Sequence, residues 1–200
     1  MRQLALALSP PPPPSLENFV AGANAELLER LRELRAGRPA EAIVYLWGEA
    51  GSGRSHLLRA SARAGLTLAD DVEVLDAGRQ QALFAAINRA REGEGQVLAA
   101  GGSPPAQLAL REDLRTRLAW GLVYQVKPLG DPERAQYLKA EAAHRGLALA
   151  DEVIGYLLAR VPRDVPSLRA LVERLDRASL ERQRPVTLPL VREALRIEDQ

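Results

Sequence analysis

The sequence predicts an α/β unit on a parallel sheet, followed by a small all-helical unit. Three observations predict it. Short apolar runs alternate with helix-periodic stretches as far as about residue 128, the pattern of strands joined by helical crossovers. A glycine-rich stretch, Gly48–Ser55, lies between the first such run and a helix-like segment. After Pro128 no strand-like run remains, only four helical stretches.

The elements follow in order. Asn24–Leu34 carries leucines at 27, 28, 31 and 34, a helical spacing closed by Gly37 and Pro39. Ala42–Trp47 is the first strand. A helix is expected from about Gly53 to Ala64, stopped by Gly65. Leu66–Ala69 is a short strand ending in Asp70 and Asp71. Arg79–Arg91 reads as a helix, Gln96–Ala100 as a strand, Leu108–Leu118 as partly helical and Leu122–Val126 as a strand. The helical unit comprises Pro132–Arg145, Asp151–Arg160, Pro166–Arg182 and Pro189–Ile197. Asp131 and Asp151 are expected as N-caps, and Pro132 and Pro166 as first-turn prolines. The boundaries are therefore 1–14 for a tail with its proline run, 15–128 for the α/β unit and 129–200 for the helical unit. Pro10–Pro14 is stiff polyproline, roughly 15 Å at about 3.1 Å per residue.

Composition narrows the function. A net charge of +1 is not the basic footprint of a dedicated nucleic-acid binder. There is no cysteine, hence no disulfide framework or thiolate zinc site. No apolar run approaches the ~20 residues of a membrane span, and the N-terminus lacks a secretion signal's features. A cytoplasmic protein with no membrane partner is expected.

Four motifs carry chemistry. Gly48-Glu-Ala-Gly51-Ser52-Gly53-Arg54-Ser55 has the layout of a phosphate-binding loop, with arginine where lysine is usual. Glycines let backbone N–H groups curl around an anion at a helix N-terminus. Arginine can still hold phosphate, but its planar fork cannot take the compact position of an ammonium. Leu66–Asp70 has the form of a strand ending in a metal-orienting acid, with Glu73 nearby; the plain alternative is a helix-capping acid. Asp113–Gly121 contains Arg115 and Arg117, which do not share a helix face, so one points outward. Gln3-Leu4-Ala5-Leu6-Ala7-Leu8 alternates as an extended docking peptide does, or as an edge strand.

The combination resembles the Hda family of DnaA-homologous regulators. The residues that carry the resemblance are the Gln3–Leu8 tail, the proline run, Glu17-Asn18-Phe19-Val20 with Gly22 and Asn24, Trp47-Gly48 with the loop through Leu58, Arg117-Leu-Ala-Trp120-Gly121, and Leu175–Ser179. The resemblance implies an AAA+ module with sheet order 5-1-4-3-2 and a helical lid. It implies Phe19, Val20 and Asn24 beside an adenine, and Gly48, Gly51, Ser52, Gly53, Arg54, Ser55 and His56 around the phosphates of ADP. Asp70 joins that site, with Ser55 and Asp70 as candidate magnesium ligands. Arg117 becomes an arginine finger reaching ATP on DnaA. Gln3, Leu4, Leu6 and Leu8 become the peptide that binds the DNA polymerase sliding clamp. A homodimer is a further implied possibility.

The chain departs from the family pattern in three places. Ser55 and Asp70 stand 15 positions apart, too few for the second, edge strand, so a 5-1-4-3 sheet is expected. The sensor I position falls on Gly102, and the sensor II position on Pro166. With Arg54, these changes alter the polar groups that stabilise phosphoryl transfer, so hydrolysis by the chain itself is not expected. The expected function is regulation of replication initiation by stimulating hydrolysis on DnaA. The alternatives are a clamp-and-partner scaffold without nucleotide dependence and a small P-loop kinase. A DNA-binding initiator is not expected, since no further domain follows the last lid helix.

Overall fold

The computed structural model describes residues 13–162 and 164–196. The chain divides into two compact units, with the boundary between Pro128 and Leu129. The clamp-peptide residues Gln3, Leu4, Leu6 and Leu8 lie outside the described residues.

The first unit holds α1 (Ala25–Arg35), β1 (Ile43–Trp47), α2 (Arg54–Ala60), β2 (Leu66–Ala69), α3 (Ala77–Arg91), β3 (Gln96–Gly101), α4 (Glu112–Leu118) and β4 (Leu122–Gln125). All strands are parallel, in the order β2-β3-β1-β4. This is the expected sheet with its former edge strand missing. Alternation puts successive side chains on opposite faces. Val44, Leu46, Leu98 and Ala100 meet Leu27, Leu28, Leu31 and Leu34 of α1 and Leu57 and Leu58 of α2. Ile43, Tyr45, Val97 and Ala99 meet Leu83 and Ile87 of α3 and Leu114 and Leu118 of α4. Two apolar layers therefore sandwich β1 and β3, as a parallel sheet requires.

Helix α2 ends at Ala60, four residues before the expected end. Ser61 is buried and turns its hydroxyl back onto the Leu57 carbonyl (2.8 Å). The Arg63 guanidinium then donates to the Leu34 carbonyl (3.0 Å) and to the Gln96 side chain. These contacts draw the chain out of the helix and straight into β2.

The second unit holds α5 (Asp131–His144), α6 (Asp151–Leu158), α7 (Val165–Arg182) and α8 (Leu188–Arg196). Leu138, Leu157, Leu168, Val172, Leu175 and Val191 form its core. The expected N-caps Asp131 and Asp151 are instead the first helical residues, after Gly130 and Ala150, and neither helix has a side-chain cap bond. Both carboxylates turn to cations: Asp131 to Arg134 (2.9 Å) and Asp151 to Lys139 (2.6 Å). The acids still favour the positive end of the helix dipole. True side-chain caps are Asp76 on α3 and Asp164 on α7. No helix among the described residues is long and apolar enough to cross a membrane.

Candidate functional site

The glycine loop leaves the C-terminal end of β1 and enters α2. Gly51 (φ 79°) and Gly53 (φ 101°) both adopt left-handed backbone, which a side chain disfavours. Gly48 is needed for space, because a Cβ there would meet the Val126 carbonyl at 2.6 Å and the Ser52 hydroxyl at 2.9 Å. Ser52 Oγ and Arg54 Nη1 are buried and have no protein partner. Orphaned buried donors of this kind are costly without an acceptor, and a phosphate is one. The cradle therefore fits a nucleotide's phosphates.

Arg54 does not stand alone in that cradle. Its Nη2 lies 3.7 Å from Asp71 Oδ1. Asp71, at φ 43°, turns toward the loop, whereas Asp70 accepts from the Asp71 amide (3.1 Å) and lines a groove on the far side of β2. The sequence pattern points to Asp70. Two adjacent acids after a strand cannot be told apart by pattern, and only the backbone twist selects between them.

Glu73 fills the space that Gly101 and Gly102 leave. Its Oε1 accepts from the Gly102 amide at 2.7 Å, while Oε2 is buried without a partner. The Tyr45 hydroxyl donates nearby to the Ser103 carbonyl at 2.8 Å. Burial pushes the Tyr45 phenol well above its usual range, the Glu73 carboxylate adds to this, and Arg54 opposes it. A carboxylate thus stands over the position that Gly102 leaves without a side chain. Among the described residues no group of three His, Asp or Glu side chains could hold a metal. Magnesium commonly rests on phosphates plus one or two protein oxygens, and Ser55 with an acid after β2 is that kind of set.

The entry segment closes over the loop. The Phe19 ring packs on Gly53, so that a Cβ at Gly53 would come within 2.6 Å of it. Phe19 also packs against His56, with ring centroids 5.6 Å apart, and His56 Nε2 lies 2.9 Å from the Ser15 carbonyl. Asn24 is 3% exposed and pairs with both backbone groups of Lys127 at 2.8 Å. It clips the entry segment to the end of β4. Val20 is half-buried beside Phe19 in the chain.

Arg117 lies at the other end of the sheet. It is in the last turn of α4, just before β4 begins. Its guanidinium stacks on Phe84 (4.1 Å) and Trp120 (4.9 Å). Nε donates to Asn88 Oδ1 (2.9 Å) and Nη1 to the Asp113 carbonyl (3.1 Å). Arg91 covers the same Trp120 ring at 4.2 Å. The sequence pattern places Phe84 on the inward face of its helix but gives neither it nor Asn88 a part under Arg117; their four-residue spacing on α3 is the signal that pairs them.

Comparison with known proteins follows the two units. Residues 131–195 match the family model described as Hda, lid domain. The chain is similar to domain III of the Thermotoga maritima replication initiation protein DnaA, at 19% identity and a TM-score of 0.78, over 92% of this chain and 96% of that one. It is similar to the replication initiator DnaA bound to AMPPCP and single-stranded DNA, at 22% identity and a TM-score of 0.72, over 86% of this chain and 68% of that one. It is also similar to the Thermotoga maritima RuvB Holliday junction branch migration motor, at 15% identity and a TM-score of 0.71, over 92% of this chain and 72% of that one. At these identities the structural likenesses show the fold.

Proposed function

We propose that this chain, whose residues 131–195 match the Hda lid family and whose fold is DnaA-like, regulates replication initiation by supplying Arg117 to ATP bound on DnaA. The Hda lid match and the DnaA-like fold support a role in regulating initiation. The finer reading is that Gln3, Leu4, Leu6 and Leu8 bind the polymerase sliding clamp, while the Gly48–Ser55 cradle holds ADP.

One observation carries the assignment to Arg117. The glycine loop follows the C-terminal end of β1, whereas Arg117 precedes β4 and rests on Phe84 at the middle of α3 and Asn88 in its C-terminal half, which leads into β3. In a wholly parallel sheet these are opposite ends, separated by a strand of about 16 Å at roughly 3.3 Å per residue. Arg117 therefore cannot serve its own loop, and any triphosphate it touches belongs to another molecule. Its planar group is already oriented by two rings and two hydrogen bonds, which lowers the cost of positioning it on binding.

The test is ATP hydrolysis by DnaA with clamp loaded on DNA. Wild-type chain is expected to stimulate it, and Arg117→Ala to remove the stimulation while the chain stays folded by circular dichroism. Undiminished stimulation by the variant refutes the mechanism. The Arg54–Asp71 contact supports a second reading, a scaffold that works without nucleotide. Acid extraction of purified chain separates the two: released ADP supports the regulator with a nucleotide site, and its absence with no titratable binding supports the scaffold.

A further inference from the structure

The missing edge strand leaves a second feature, independent of the nucleotide site and of Arg117. β2 ends the sheet, and among the described residues nothing pairs with its outer side. The Gln96 amide donates to the Gly65 carbonyl (3.3 Å), so Gly65, Thr67 and Ala69 turn their backbone groups toward β3. Leu68 therefore turns its N–H and C=O outward. Its side chain is 37% exposed. Natural sheets usually cover or charge such an edge.

Beside this edge runs a groove of about 470 Å³ between β2 and α3. Ala69, Ala82, Leu83 and Ala86 give it an apolar lining, with Thr67 beside them, and Arg79 and Arg89 line it from α3. Helix α3 hands over to β3 within one short turn, so Arg89 lies at the N-terminal end of β2. Arg79 lies at the other end, with Asp70. Arg79 is largely exposed and meets Asp76 at 3.5 Å, a pairing of little energetic weight.

We propose that the open β2 edge and the α3 groove bind an extended, acidic segment of a partner protein, which adds a fifth strand to the sheet. Backbone bonding to Leu68 would supply affinity, alternate side chains would fill the groove, and an acidic side chain would meet Arg89. The exposed Arg89 end favours an acidic segment over a second copy. Pairing β2 with β2 of another copy would lay the two α3 helices side by side in opposite directions. Arg89 of one would then face Arg79 of the other, with Asp70 and Asp76 beside it, so Arg89 would meet a mixed seam that includes a like charge.

The experiment uses the full chain and two labelled, end-capped peptides of alternating valine and threonine. One is flanked by glutamate and the other by lysine. Fluorescence anisotropy is expected to show at least tenfold tighter binding of the glutamate peptide. Arg89→Glu, a change at an exposed position, is expected to remove or reverse that preference. Hydrogen exchange of the Leu68 amide is expected to slow when the glutamate peptide is added. Equal binding of both peptides, or none at millimolar concentration, overturns the proposal. So does Leu68 protection in the peptide-free chain that fades on dilution, which indicates a second copy, or that disappears on removing residues 1–12, which indicates the chain's own tail.

Discussion

Arg54, at the C-terminal end of the sheet, is only 13% exposed, faces Asp71 at 3.7 Å and shares its surroundings with Glu73 and Tyr45. Arg117, at the N-terminal end, rests on Phe84 and Trp120, and its bonds go to an amide and a carbonyl. The first cation is set among carboxylates. The second keeps its full charge, because rings and neutral oxygens orient a guanidinium without neutralising it. A cation held in the second way is suited to meet an anion from outside, and one held in the first way to balance a pocket. The residue type is the same at both ends; the neighbours decide its use.

The sharpest way to break this contrast is Arg117→Ala. If an arginine finger here has the weight found elsewhere, stimulated hydrolysis on DnaA falls by about 10³–10⁵. Arg117→Lys is expected to recover little of it, because an ammonium cannot stack and fork at once. Steady-state phosphate release checks both.

The next effect belongs to the nucleotide end. A Cβ on Gly101 would strike the Tyr45 hydroxyl and come within 2.7 Å of Glu73 Oε2. Gly101→Ala is expected to cost about 1–3 kcal/mol, as overpacking does, measured by urea unfolding. Gly155→Ala is the control, since nothing lies within 4 Å of its Cβ position. It is expected to be neutral or slightly stabilising.

Arg54→Ala tests whether the balanced cation still contributes to binding. ADP affinity is expected to fall roughly tenfold or more, in line with about 1.5–3 kcal/mol for a charged hydrogen bond, measured by calorimetric titration. Trp120→Ala is milder. It strips one ring from Arg117 and the platform from Arg91, and stimulation is expected to drop by a factor of a few, at about 0.5–1 kcal/mol for an exposed cation–π contact.

The smallest expected effect lies in the helical unit. The hydrogen bond from Lys139, aided by its charge, holds the Asp151 carboxyl below its ordinary value. A lowered folded pKa adds stability above the unfolded value, and that stability is lost as pH falls through the folded one. Asp151→Asn is therefore expected to leave a slightly shallower loss of stability on acidification. Both groups are mostly exposed, so only a careful acid titration of the melting temperature resolves it.

Local pattern was enough for much of this protein. The strand-loop-helix order around Gly48–Ser55 and the four helices of the second unit follow from apolar periodicity and glycine placement, which act over a few residues. The family resemblance supplied the strand order 5-1-4-3, which the sheet adopts. Tertiary structure decided what depends on distant neighbours. It turned Asp71 toward Arg54 and Asp70 toward the groove. It brought Glu73 over Gly102, 29 positions away. It set Arg117 on Phe84 and Asn88, and it left Leu68 at an open edge. None of these pairings has a period, because a parallel sheet joins residues from separate crossovers and the twist of the backbone chooses which side chains meet.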